Sequence, residues 1–156
     1  MSRIVLETHI HAPCDHCFNL SRSIDLHVNS MTEFGEQAIG GKTSGLITLG
    51  ETVTWRAKHF LLWHEMTVKI TLFEYPKMFC DEMVAGPFKS FRHKHMFRPM
   101  TGGTVMTDIL DFALPLPRLT TFLVVLLIRR HLKNLLVKRN AEIKRLAEMV
   151  PKNKLA

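Results

Sequence analysis

Alternation of apolar and polar residues along much of the chain predicts β-strands, because successive side chains of a strand point to opposite faces. The first alternating segment covers residues 3–11, and a glycine-rich stretch at 35–41 is interpreted as a loop. Later strands are predicted at 46–49, 51–60, 62–73, 78–85, 89–99 and 104–114. Glycine and proline residues at the breaks supply the chain reversals. The pattern therefore predicts about seven antiparallel strands.

Helical spacing occurs in two places. Pro13 opens a segment at 14–31 that predicts one broken helix or two short helices, and a long helix is predicted at 118–149. The second half of the long helix has a single apolar stripe, formed by Ile128, Leu132, Leu135, Leu136, Ile143 and Leu146. Its first half is apolar all round. Such a segment must be covered by a curved sheet, a ligand, a second subunit or a membrane surface.

Strand alternation also assigns an inner face to the sheet. The expected rows across this face are Val68, Met83, Phe91 and Phe112; then Ile70, Asp81, His93 and Leu110; then Leu72, Phe79, His95 and Asp108. The same registers align Lys69, Glu82, Arg92 and Asp111 on the outer face, as a ladder of alternating charge. Four ionisable residues thus interrupt an apolar inner face, and we expect Asp81 opposite His93 and Asp108 opposite His95.

These four inner residues have three interpretations. They are satisfied buried pairs, or a polar patch in a cavity that orients a ligand's hydroxyl, carbonyl or carboxylate, or a metal site. For a metal, His93 and His95 would join Asp81 or Asp108 in a set of two histidines and one carboxylate. Because each histidine has a carboxylate partner without any ion, we expect no metal and no cofactor.

The CDHC motif is a second candidate for metal binding. It holds Cys14 and Cys17, but it lacks the second ligand pair that a structural zinc site requires. We therefore expect it to belong to a short helix that packs against the sheet. No glycine-rich phosphate loop or nucleophile-elbow motif occurs in the sequence.

Composition and charge narrow the function classes. The 156 residues carry a formal net charge of +7, and 46% of them are hydrophobic, which fits one domain spanning residues 1–156. Much of the basic excess lies at 129–154, a pattern that suits contact with anionic lipid at least as well as contact with DNA. No nucleic-acid-binding motif accompanies it, so no nucleic acid is expected. Three cysteines, no signal peptide and no apolar run of membrane-spanning length predict a reduced, cytoplasmic protein.

The succession of elements and several motifs resemble the START-like superfamily, which includes polyketide cyclase/dehydrase-type and coenzyme Q-binding lipid-carrier proteins. The resemblance rests on ETVTWRAKHF, on DEMVAGPFKSFRHKHMFRPMTGGTVMTDILDFALP and on the long terminal helix. It implies an α+β helix-grip fold, in which a curved antiparallel sheet of about seven strands wraps around the C-terminal helix, with two short helices after the first strand. It also implies a cavity for apolar ligands between the sheet and the helix.

Three functional hypotheses follow. In the first, the cavity binds a small hydrophobic ligand such as a lipid, an isoprenoid or quinone, or a polyketide-like molecule. The expected ligand-binding residues are Trp55, His64, Met66, Val68, Asp81, Phe91, His93, His95, Phe97, Met106, Asp108, Leu110 and Phe112. In the second, the protein is a cyclase/dehydratase-type enzyme in which His95 transfers a proton and Asp108 orients the imidazole of His95. In the third, the basic C-terminal helix contacts an anionic membrane or a partner.

Overall fold

A computed structural model describes residues 1–116 and 121–149 of the chain. Along the sequence its elements are β1 (Ser2–Ile10), α1 (Cys14–Ser21), α2 (Ile24–Ser30), a 3-10 turn (Thr32–Phe34), β2 (Gln37–Gly41), β3 (Thr52–His59), β4 (Leu62–Glu74), β5 (Met78–Ala85), β6 (Ser90–Met100), β7 (Gly103–Ala113) and α3 (Thr121–Met149). The predicted long helix is confirmed from residue 121 onward, and its expected first residues at 118–120 lie outside the described part of the chain.

The seven strands form one antiparallel sheet in the order β1-β7-β6-β5-β4-β3-β2. The sheet curves around α3, which packs Leu136, Ile143 and Ala147 into the interior. Helix α1 fills one end of the concave face with Phe18, whose ring is surrounded by Phe73, Tyr75, Phe79 and Phe97 at centroid distances of 5.2–5.3 Å. This architecture confirms the helix-grip prediction, including the two short helices after the first strand.

The second strand differs from the expectation. The segment at 46–49 makes only an isolated bridge between Leu46 and Ser23, and β2 instead lies at Gln37–Gly41, inside the predicted loop. The sequence of β2, QAIGG, has too few apolar side chains to show an alternation. Gly41 has φ +67°, and a Cβ there would collide with the carbonyl oxygen of Thr52, so this edge pairing requires glycine.

The predicted register is confirmed for the paired residues of the central strands with one exception, and the β5–β6 ladder ends at Glu82 and Arg92, just before Met83 and Phe91. Asp81 pairs with His93 and His95 pairs with Asp108, as predicted, but a bulge in β4 pairs Leu72 with Cys80. Phe79 then lies opposite Phe73, not Leu72. The bulge turns Leu72 partly outward, with 39% exposure, and places Phe73 against Phe18 in the core.

On the outer face, the predicted charge ladder is present. Glu82 accepts a hydrogen bond from the Nε of Arg92 at 2.9 Å. Asp111 accepts two hydrogen bonds from Arg3 on the neighbouring edge strand, at 2.7 and 2.8 Å. Both faces of the sheet therefore have chemically matched neighbours in a single register.

Candidate functional site

A cavity of about 470 Å³ lies between the concave face of the sheet and the helices. Its wall is mostly apolar: β3 contributes Val53, β4 contributes Val68, and α3 contributes Ile128, Leu132 and Leu136. The volume falls in the range of roughly 300–1,000 Å³ that is usual for small-molecule pockets. The curved sheet leaves this space because α1 and the second half of α3 cover only part of the concave face.

Most of the residues predicted to bind ligand lie around this cavity. Those in its wall are Trp55, His64, Met66, Val68, Asp81, Phe91, His93, His95 and Leu110. The other four, Phe97, Met106, Asp108 and Phe112, are buried outside the wall.

Packing explains why those four residues do not reach the cavity. Phe97 and Met106 join the cluster around Phe18, because α1 covers that part of the sheet. Phe112 packs with Phe88 at a ring distance of 5.9 Å. Asp108 is fully buried beneath the two histidines. We expected the whole inner face of the sheet to line the cavity. In the structure, only residues of β3 to β6 and Leu110 of β7 among the predicted set do so.

The four ionisable inner residues form one hydrogen-bonded network, although their partners differ from the strand register. The Nε2 of His93 is hydrogen-bonded to the Oδ1 of Asp108 at 2.8 Å, and the Nε2 of His95 to the Oδ1 of Asp81 at 3.0 Å. The Nδ1 of His95 also lies 2.9 Å from the Oδ1 of Asp108, without hydrogen-bond alignment. On the helix side, the Nδ2 of Asn140 donates to the Oδ2 of Asp108 at 2.6 Å.

The electrostatics of this network follow from burial and from close partners. Burial alone raises the pKa of the Asp108 carboxyl, but the hydrogen bond from His93 and the proximity of His95 outweigh it, so this pKa lies well below its usual value. The same balance, with His95 as the main partner, lowers the pKa of Asp81. Burial, together with the charge of His95, lowers the pKa of His93. At neutral pH the network therefore holds two carboxylates and a neutral His93.

Asp81, His93 and His95 are also the described residues that approach metal-ligand geometry. One potential ligand atom from each lies within 4.8 Å of the others. The protein already supplies partners to these side chains, because His93 bonds Asp108 and His95 bonds Asp81. The expectation that no metal is bound stays a prediction.

Sequence reasoning missed Arg139 as a cavity residue. Its side chain lines the base of the cavity and is only 6% exposed. The signal was present in the sequence, because Arg139 falls at helical spacing between Leu136 and Ile143 on the apolar stripe of α3. Charged residues on a solvent-exposed helix face are common, whereas a charged residue on a buried apolar stripe is rare and indicates a specific role.

Histidines near the mouth of the cavity were also missed. His131 on α3 meets His59 at the end of β3, with 3.1 Å between Nε2 and Nδ1. His27 bonds Glu36 at 2.7 Å and stacks on Trp55 at a ring distance of 4.1 Å. These contacts join the helices to the β3 side of the cavity.

The mouth itself has an apolar rim. Phe60, Leu116 and Val124 line the cavity and are also exposed to solvent, at 56%, 43% and 37%. Next to them, the β3–β4 turn and the first half of α3 expose Leu61, Leu62, Trp63, Phe122, Leu123, Leu126 and Leu127. Among the described helices, none combines the length and apolar character needed to cross a bilayer.

Comparison with known proteins identifies the fold. No protein-family model and no curated protein matches the sequence. Among solved structures, the protein TTHA0849 of Thermus thermophilus matches with a TM-score of 0.71 at 16% identity, over 91% of this chain and 97% of that chain. The chain has the same fold. The alignment leaves only a small part of either protein unmatched.

Two further solved structures show the same similarity. Ara h 8.0201 matches with a TM-score of 0.65 at 12% identity, over 91% of this chain and 97% of that one. The major latex-like protein 151 of Panax ginseng gives 0.64 at 15% identity, over 94% and 97%. These are Bet v1-like proteins, which is consistent with a START-like fold. At such identities the similarity establishes the fold alone.

Proposed function

We propose that this protein is a START-like binding protein that takes up a small hydrophobic ligand in the cavity between the sheet and α3. A lipid, an isoprenoid or quinone, and a polyketide-like molecule all fit this description. The observation that carries the proposal is the cavity itself: about 470 Å³ of apolar-walled space whose polar groups include a histidine and aspartate network. Natural cores are close-packed, so an apolar space of this size supports a ligand-binding function.

Filling the cavity tests this proposal. Met66 on β4 lines the cavity, so Met66→Trp should occupy the space and displace an apolar ligand. The neighbouring residue Glu65 is exposed and points to the other face, so Glu65→Trp is the matched control. Native mass spectrometry of the purified protein should detect a bound apolar species with the unaltered chain and with Glu65→Trp, but not with Met66→Trp. Absence of any bound species, and no uptake of an added hydrophobic dye, would contradict the proposal.

The catalytic alternative has less support. A general base needs a ring nitrogen that can reach the substrate. The Nε2 of His95 is bonded to Asp81, and its Nδ1 faces Asp108 at 2.9 Å. His95 is also only 1% exposed. A role in holding the sheet accounts for this geometry more simply than proton transfer does.

We also propose that the protein contacts anionic membranes through α3, as a route by which an apolar ligand reaches the cavity. The first half of α3 and the β3–β4 turn expose apolar side chains at the cavity mouth. Arg129, Arg130 and Lys133 follow directly on the helix and are exposed. Apolar side chains that insert, with cations that meet anionic headgroups, are the combination that favours a bilayer surface.

Vesicle sedimentation tests this contact. Phe122→Ser combined with Leu123→Ser should weaken binding to phosphatidylglycerol-containing vesicles by about tenfold or more, because two exposed apolar side chains no longer insert. Leu49→Ser is the control, since Leu49 is 58% exposed but precedes β3 at the strand end away from the mouth. Added salt should weaken binding by the unaltered chain. Equal binding by all three proteins, or no binding at all, would contradict the proposal.

A further inference from the structure

The base of the cavity contains a buried cation. Arg139 lies on the apolar stripe of α3 and is 6% exposed. Its Nη2 donates to the backbone carbonyl of Ser21, the last residue of α1, at 2.6 Å. This contact fixes the position of the side chain. It is favourable because the carbonyl groups at the C-terminal end of a helix carry partial negative charge.

The remaining donors of Arg139 are not satisfied in the same way. Its Nε is buried and has no hydrogen-bond partner. Within residues 1–116 and 121–149, no carboxylate oxygen lies within 4 Å of its guanidinium nitrogens. A buried guanidinium with one backbone acceptor is costly, because the lost hydration is only partly replaced.

The carboxylates of the cavity network meet this need only in part: the positive charge of Arg139 helps to lower the pKa of Asp81, but no hydrogen bond joins these two side chains. Asp81 is bonded to His95, and Asp108 accepts from His93 and Asn140. Arg139 and Asp81 both line the cavity, one on the helix and the other on the sheet. A ligand carboxylate beside Arg139 would gain a charge-assisted pair, whereas a second anionic group on the sheet side would meet Asp81.

The cavity wall along α3 indicates where the apolar tail of such a ligand would lie. Arg139 and Val124 both line the cavity and both lie on α3. At roughly 1.5 Å per residue, they are about 22 Å apart along the helix. The wall between them includes Ile128, Leu132 and Leu136, which suit a hydrocarbon tail.

We propose that Arg139 binds the carboxylate of an elongated apolar monoacid whose hydrocarbon tail lies along α3 toward the cavity mouth. A carboxylate has two oxygens in one plane, which match the planar donors of a guanidinium. The proposal rests on the hydrophobic-ligand function, and it adds the chemical class of the head group and its binding residue.

Calorimetric titration with dodecanoic acid and with its methyl ester tests the proposal. The two probes share a tail, and only the acid carries a charge. The unaltered protein should bind the acid about tenfold or more tightly than the ester, the range expected for a charge-assisted hydrogen bond. Arg139→Gln should remove this preference and leave ester affinity within about threefold. Arg145→Gln, which changes an exposed arginine on the same helix that pairs with Glu142, should retain it.

The outcomes separate this inference from the proposed function. Equal affinities for acid and ester in the unaltered protein would overturn the role of Arg139 and leave hydrophobic binding intact. Binding of neither probe would overturn both. A preference for the acid that survives Arg139→Gln would assign the head group to another residue and also overturn the inference.

A measurement on the unaltered chain covers the case in which Arg139→Gln does not fold. Dodecanoic acid isotopically labelled at its carboxyl carbon can be titrated by NMR while it is bound. A carboxylate beside Arg139 should show a pKa below that of the free acid. A bound pKa equal to or above the free value would overturn the proposal, because burial without a cation acts in that direction.

Discussion

Asp108 is the residue on which the buried polar network converges. Its carboxylate is completely buried, and it accepts hydrogen bonds from His93 on the sheet and from Asn140 on α3. The network therefore ties the long helix to the middle of the sheet. A carboxylate in this position is stabilised only while its partners remain in place.

We expect Asp108→Asn to destabilise the fold by about 2–4 kcal/mol, because the amide places a donor among donors in the interior. Urea unfolding followed by circular dichroism measures this change. Glu82→Gln is the control: its ion pair with Arg92 is exposed, with side chains 40% and 47% accessible, so its loss should cost about 0.5 kcal/mol. Equal effects of the two substitutions would show that the buried network contributes little.

Part of the pH dependence of stability follows from His93, in addition to His59 and His131, whose pKa values burial also lowers. Burial, assisted by the charge of His95, lowers the pKa of His93 in the folded state below its usual value of 6.5. The unfolded chain therefore takes up more protons in mild acid, and stability should fall as pH drops from about 6.5 toward the folded pKa. Urea midpoints measured between about pH 7 and pH 5 should decrease, and less steeply in His93→Gln. A midpoint that rises over this interval would contradict the assignment.

Protonation of the buried carboxylates should cause a second loss of stability at lower pH. The pKa values of Asp81 and Asp108 are below their usual value of 3.8 in the folded protein. Their contribution is complete above that value and is lost as pH falls below it. The free energy of unfolding should therefore fall over two pH ranges, the first from histidine and the second from aspartate.

Sequence reasoning at the residue scale found the network but not its connections. Strand alternation placed Asp81, His93, His95 and Asp108 on one face. Alternation predicted hydrogen bonds between residues directly opposite each other. The side chains instead bond to diagonal neighbours, because the rotamer of each histidine determines which carboxylate oxygen its nitrogen reaches. Arg139 was missed because it was grouped with the basic residues of its helix, although its spacing places it on the apolar side.

The β3–β4 turn is the element whose local sequence conflicts most with its geometry. Phe60 and Leu61 form a two-residue turn, and both have positive φ, 49° and 67°. Such turns favour asparagine and glycine. Leu61 is also 86% exposed, so packing does not offset the strain. Retaining two bulky apolar residues here fits contact with a membrane at the cavity mouth.

Leu61→Asn should therefore stabilise the protein by about 0.5–1 kcal/mol while weakening vesicle binding. Leu62→Asn provides the comparison: Leu62 is 64% exposed but lies in β4, with no positive φ to relieve. It should weaken vesicle binding without gaining stability. Urea unfolding and vesicle sedimentation give the two readouts, and a less stable Leu61→Asn protein would contradict the strain argument.

Prediction of the elements succeeded where the hydrophobic pattern was long and regular. Strands β3 to β7 and helix α3 follow directly from their periodicity. Strand β2 was missed because edge pairing through QAIGG depends on backbone bonds and small residues. The β4 bulge near Leu72 has no local signal, because it is set by packing of Phe73 onto α1.

At the scale of the whole molecule, α3 has two environments. Its second half is held by buried Leu136, Ile143 and Ala147, whereas its first half borders the cavity and exposes apolar side chains. Amides of residues 122–132 should exchange hydrogen faster than those of 136–147 in the ligand-free protein, because fewer buried contacts hold them. Bound dodecanoic acid should slow exchange mainly in the first segment. Uniform protection of the helix without ligand would contradict this division.

The pairing of β1 with β7 has a consequence for how the chain acquires its structure. Ile4 lies opposite Leu110, so an edge of the sheet is completed by residues about a hundred positions apart. During synthesis, β1 leaves the ribosome long before its partner strand exists, and its backbone groups stay unpaired meanwhile. Nascent chains that stop before Gly103 cannot close the sheet, and they should depend on chaperones and aggregate more readily than the full chain.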